Sequence, residues 1–74
     1  MRVNTENMMK ASFFGKEIAF GKCRKNEFGE YVIKCYLNGI YSEDMTIYES
    51  DRESAEATRD AVIETYRLAV EAGR

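Results

Sequence analysis

The chain has 74 residues, 45% hydrophobic and 12% aromatic, with 13 carboxylates against 11 Lys and Arg and no histidine. A chain of this length makes one domain and buries only roughly 60% of its unfolded surface, which leaves room for one sheet and one helix. The apolar and aromatic content excludes disorder, and neither a membrane-spanning apolar run nor a secretory leader is seen, so a cytoplasmic protein is expected.

Charge is split along the sequence. Residues 1–42 carry seven basic side chains against four acidic ones, net +3, and residues 43–74 carry four arginines against nine carboxylates, net −5. The first part reads as strands and the second as a helix, so the field should change sign between two faces of the fold, as suits a charged partner.

Residues 1–7 show no periodicity and are expected to form a flexible leader. From Met8 the pattern alternates. A turn at Gly15-Lys16 would set Phe13 opposite Ile18, Ala11 opposite Phe20 and Met9 opposite Lys22. One face would then hold Met9, Ala11, Phe13, Ile18 and Phe20. Lys10, Ser12, Phe14, Glu17, Ala19 and Gly21 would point the other way.

A polar segment from Arg24 to Gly29 leads into a strand from Glu30 to Leu37, closed by Asn38-Gly39, a pair that tolerates the positive φ of a type I′ turn. Tyr31, Ile33, Cys35 and Leu37 face one way, and Val32, Lys34 and Tyr36 the other. The return strand starts with Ile40 opposite Leu37. A bulge in Ser42-Glu43-Asp44 is needed to bring Met45 and Ile47 to the apolar face and Thr46 and Tyr48 to the outer one.

Ser50-Asp51-Arg52-Glu53 reads as an S-x-x-E capping box that opens a helix, and Gly73 as its stop. Ala55, Val62, Ile63, Tyr66, Ala69 and Val70 share the arc that should lie on the sheet, with Arg59 at its edge. A second row, Ala57, Ala61, Leu68 and Ala72, is either covered by sheet twist and the leader or is the contact of a homodimer. The expected fold is α+β: an antiparallel β-meander of three to four strands over 8–48, packed on one C-terminal helix over 51–72, in a single domain spanning 1–74.

Two surfaces are candidates for binding. Glu53, Glu56, Asp60, Glu64 and Glu71 form an acidic ridge on the helix, interrupted by Arg67. Like charges at i, i+4 (Glu56 and Asp60, Asp60 and Glu64) each cost a helix about 0.2–0.5 kcal/mol. The ridge is either a solvated face, partly neutralised by the Arg52 to Glu56 and Glu64 to Arg67 spacings, or a phosphate-mimicking edge that occupies a basic groove on a protein partner. The outer sheet face combines Lys10, Phe14, Lys34, Tyr36, Tyr41 and Tyr48, with Lys22, Arg24 and Lys25 near one end. Aromatics beside cations stack nucleic-acid bases in several modules and equally make protein contacts.

Catalytic chemistry finds no foothold: there is no histidine, no nucleophile context, no Gly-rich phosphate loop and no carboxylate pair in apolar surroundings. Cys23 beside Arg24 and Lys25 lacks a base. Cys23 and Cys35 fit no two-cysteine motif and read as reduced small hydrophobes. No cofactor or metal is expected.

The stretch Gly29-Glu30-Tyr31-Val32-Ile33-Lys34-Cys35-Tyr36-Leu37-Asn38-Gly39, followed by Tyr48-Glu49-Ser50-Asp51-Arg52-Glu53-Ser54-Ala55, resembles the arm-binding sheet-plus-helix domain of tyrosine recombinases. The resemblance covers residues 29–55 and implies a sheet that enters a DNA groove, although Glu43 and Asp44 stand where that family has a basic return strand. Separately, the size, acidity and sheet-plus-helix design are similar to those of small phage-encoded inhibitors, including anti-CRISPR proteins, which implies an anti-defence inhibitor from a phage or mobile element. The reading is therefore a non-enzymatic binding protein, an inhibitor or modulator that covers a basic surface of a protein partner. The alternative is a nucleic-acid-binding accessory protein that uses the outer sheet face.

Overall fold

The structure is a computed structural model that describes residues 3–73. Five antiparallel strands, β1 (Met9–Phe13), β2 (Lys16–Phe20), β3 (Arg24–Lys25), β4 (Tyr31–Leu37) and β5 (Ile40–Glu49), are followed by one helix, α1 (Arg52–Ala72). β2 and β3 both pair with the same side of β4, and β5 takes its other side, so the sheet is a meander whose second strand is interrupted. Across the interruption Gly21 N–H still donates to Lys34 O at 2.9 Å. The α+β architecture expected from the sequence is the one observed.

Ile18, Phe20, Ile33, Cys35 and Ile47 on the inner sheet face enclose one core with Ala55 and Ile63 of α1, flanked by Ala11, Met45, Val62 and Tyr66. Sheet and helix thus share a single core, as the alternating and helical apolar periods require. Ala69 belongs to the same helical arc but is exposed. It lies at the arc's edge, and its methyl is too short to reach the sheet.

The first hairpin turns at Phe14-Gly15 rather than at Gly15-Lys16, with φ of 47° and 80°. Met9 therefore opposes Phe20, Ala11 opposes Ile18 and Phe13 opposes Lys16. The pairing differs from the expected one by two residues, and because side chains alternate with a period of two, every residue of the two strands keeps its face. Phe14 does not. It leaves the outer face for the turn, where its ring meets Phe13 edge-on at 4.6 Å and approaches Gly73 so closely that a Cβ there would lie 2.8 Å from Phe14 Cζ. Gly73 ends α1 without positive φ (−84°), and a side chain there would have to displace the exposed Phe14 ring.

Asn38-Gly39 closes the second hairpin with φ of 52° and 81°. Asn38 also ties this turn to β2, donating its N–H to Glu17 O and accepting from Glu17 N–H through its side chain, both at 2.8 Å. Further along β5, Cys35 pairs with Ser42 but Ile33 pairs with Ile47, so residues 43–46 stand opposite Lys34 alone. This distortion is larger than the expected bulge, and it strands the Cys35 N–H. Thr46 corrects that: its hydroxyl accepts from Cys35 N–H at 3.3 Å and donates to Ser42 O at 2.7 Å. Thr46 is consequently only 9% exposed rather than an outer-face residue.

The helix is capped one residue later than a Ser50 capping box would place it. Asp51 is extended (φ −141°, ψ 160°), and its carboxylate accepts from Ser54 N–H at 2.7 Å and from the Ser54 hydroxyl at 3.1 Å. Residues 3–7, expected as part of a flexible leader, form with Met8 a strap across the outer face: Val3 N–H donates to Gly39 O at 2.7 Å and the Thr5 hydroxyl to Glu17 at 2.6 Å. Ala19, an outer-face residue between Lys10 and Tyr36, is fully buried. Residues 1, 2 and 74 lie outside the described residues.

Candidate functional site

All five carboxylates of the acidic ridge lie on α1. Glu53, Asp60, Glu64 and Glu71 are exposed and Glu56 is half-buried. Asp60 pairs with Arg59 at 3.0 Å and Glu64 with Arg67 at 3.3 Å. Among the described residues Glu53, Glu56 and Glu71 have no ion pair. The expected Arg52 to Glu56 pairing is absent: Arg52 instead donates to Cys23 O at 3.3 Å and lies 5.3 Å over the Tyr31 ring, which Lys25 also approaches at 5.9 Å. An aromatic face and a backbone carbonyl together hold the guanidinium better than a carboxylate one turn away. Ala57, Ala61, Leu68 and Ala72, the second row of α1, are all exposed.

The outer sheet face brings together Lys10, Lys34, Tyr36, Tyr41 and Tyr48 but not Phe14. Strand pairing sets Lys10, Ala19, Tyr36 and Tyr41 in one row across β1, β2, β4 and β5. Tyr36 and Tyr41 meet edge-on at 5.9 Å, and Lys34 Nζ sits 5.8 Å over the Tyr41 ring. The sequence reading missed the group at the centre of this face. Glu43, carried outward by the β5 distortion, accepts hydrogen bonds from the hydroxyls of Tyr41 and Tyr48, the latter at 2.8 Å. These bonds, Tyr41's first and then Tyr48's, hold the Glu43 carboxyl below its usual value, with Lys34 assisting. The same bond pushes the Tyr48 hydroxyl up to about 12. A fixed carboxylate among the tyrosines disfavours a phosphate backbone at this end of the sheet.

A second missed residue is Phe28, 79% exposed at the tip of the β3–β4 connection. Asn26 makes that tip rigid: its side chain accepts from Phe28 N–H at 3.0 Å and Glu30 N–H at 2.9 Å, and its own N–H donates to Glu30 O at 2.8 Å. The signal available was Asn26 before Gly29, an Asx-type turn that leaves the intervening Phe28 outside.

Both cysteines are free thiols, and burial pushes Cys35 up to about 11, which suits a packing residue rather than a nucleophile. Among the described residues no cluster of His, Cys, Asp and Glu could hold a metal, and no helix is long and apolar enough to cross a membrane. No family model, no curated protein and no solved structure matches the chain.

Proposed function

We propose that the protein is a non-enzymatic binding protein, an inhibitor or modulator, that covers a basic surface of a protein partner with the outer flank of α1. The observation that carries this reading is the ridge itself: five carboxylates on one flank, three without an ion pair among the described residues. Their mutual repulsion is relieved when a basic surface docks, and such complementarity speeds association and fixes register. Phe28, held rigid at a separate exposed tip, offers an aromatic anchor of the kind that concentrates binding energy.

Reversing Glu56, Asp60 and Glu64 to Lys tests the reading. The fold is expected to persist by circular dichroism, and a protein captured from lysate by the wild type should be lost. Capture of the same protein by the reversed variant would exclude the ridge. The exposed row Ala57, Ala61, Leu68 and Ala72 is proposed in addition as a homodimer contact, which Leu68→Glu should dissociate in sedimentation. A wild type that sediments as a monomer at high concentration removes that contact.

A further inference from the structure

The break in the second strand does more than interrupt pairing. β2 stops at Phe20, the strand line resumes at Arg24, and a cleft of about 540 Å³ opens beside Gly21. Four cations from separate parts of the chain line it: Lys22 and Arg24 from the break, Lys34 from β4 and Arg59 from α1. No carboxylate lines the cleft, although carboxylates outnumber basic residues in the chain. Arg59 is paired with Asp60, whereas among the described residues Lys22, Arg24 and Lys34 have no ion pair. Three unpaired cations around one concavity repel one another, and that repulsion turns to attraction when an anion enters.

The remaining walls indicate which anion. The strap contributes Asn7 and Asn4, whose amide oxygen also accepts from Glu6 N–H at 2.9 Å, and β4 the half-buried Tyr36. Amides offer donors and acceptors together, which the edge of a base requires and a simple inorganic anion does not. A tyrosine ring beside cations is the arrangement on which bases stack while phosphates are neutralised. The volume falls within the roughly 300–1,000 Å³ of small-ligand sites.

We propose that this cleft binds a nucleotide, with Lys22, Arg24 and Lys34 on the phosphate and Tyr36 against the base. The site lies at the strap end of the sheet and shares Lys34 with the Tyr41 and Glu43 group, since Lys34 Nζ also sits 5.8 Å over the Tyr41 ring. It contains no residue of the acidic ridge and so does not depend on the protein-partner reading. The nucleotide is either free or part of a single strand.

The test is fluorescence anisotropy with a short labelled oligothymidylate at low salt, with adenosine monophosphate and a Glu-rich peptide as competitors. The wild type should bind. Lys22→Ala, Arg24→Ala and Lys34→Ala together should weaken binding by about tenfold or more and flatten the logarithmic salt dependence by about 2, from roughly 0.7 per cation. All three side chains are exposed, so the fold should persist, and Lys34→Gln alone repeats the test with one neutral substitution. Tyr36→Leu should weaken binding by about fivefold or more. Displacement by the mononucleotide at equal nucleotide concentration assigns the site to free nucleotide, and failure of that displacement assigns it to a strand. The proposal is overturned by silence of both probes, by full affinity in the triple variant or in Tyr36→Leu, or by equal displacement with the Glu-rich peptide.

Discussion

The two faces of the sheet are held by different physics. On the inner face Ile18, Phe20, Ile33, Cys35 and Ile47 are packed under α1, and the contacts are apolar and non-directional. On the outer face the strap, Glu17 and Glu43 organise the surface through directional bonds: Val3 to Gly39, Thr5 to Glu17, and two tyrosine hydroxyls to one carboxylate. Substitutions on the inner face should therefore reduce stability at every pH. Those on the outer face should act weakly, and in a way that depends on ionisation.

The largest effect is expected at Phe20, among the bulkiest of the fully buried side chains. Phe20→Ala removes most of its contacts and leaves a cavity, a loss of about 3–5 kcal/mol. A domain of this size has only roughly 4–11 kcal/mol in total, at about 0.05–0.15 per residue. Urea denaturation should show a variant that is largely unfolded or close to it, and a near-native midpoint would contradict the packing described for the inner face.

Next in size is Thr46, where the two faces meet. Thr46→Val keeps the shape but leaves the buried Cys35 N–H without an acceptor, which costs about 1–3 kcal/mol. Hydrogen exchange should identify Cys35 as the amide that loses protection. Unchanged exchange there would mean that the ladder does not need the hydroxyl. Gly39→Val is expected to cost roughly 1 kcal/mol or more, because a β-branched residue is strained at φ of 81°. An unchanged melting temperature would remove the type I′ turn.

The inner face was largely legible in the sequence because it follows a period. Alternation from Met9 to Phe20, the Asn38-Gly39 pair and the 3.6-residue recurrence from Ala55 to Val70 each state a local rule that the core then obeys. What was not legible depended on contacts between distant segments. Phe14 is a poor residue for positive φ, and nothing local predicts that it would take the turn position in order to lie against Gly73, the stop of the helix. Capping by Asp51 and capping by Ser50 are locally equivalent in the sequence. The ridge was visible as a pattern of carboxylates. The cleft was not, since Asn4, Lys22, Lys34 and Arg59 converge only after the second strand breaks and the strap folds back.

The smallest effect, and the one that separates the faces most sharply, is a pH dependence at Glu43. Its carboxyl is held below its ordinary value of 4.5 by the hydroxyls of Tyr41 and Tyr48, so folding favours the ionised form. The stabilisation from these bonds is then fully present above pH 4.5 and is lost as pH falls through the lower folded value. At the other end, Tyr48 is raised from 10.0 to about 12, so its share is present below pH 10.0 and disappears as pH climbs towards 12. Cys35, raised from 9.0 to about 11 by burial, loses its contribution over an overlapping alkaline window, and Tyr48→Phe leaves that part in place. The difference in melting temperature between the wild type and Glu43→Gln should be small and constant from neutral pH down to pH 4.5, then shrink towards zero in stronger acid. The difference for Tyr48→Phe should stay constant to pH 10.0 and close above it. A Glu43→Gln difference that persists unchanged in acid would mean that the carboxylate does not organise the outer face and that the tyrosines are held by packing, as the inner face is.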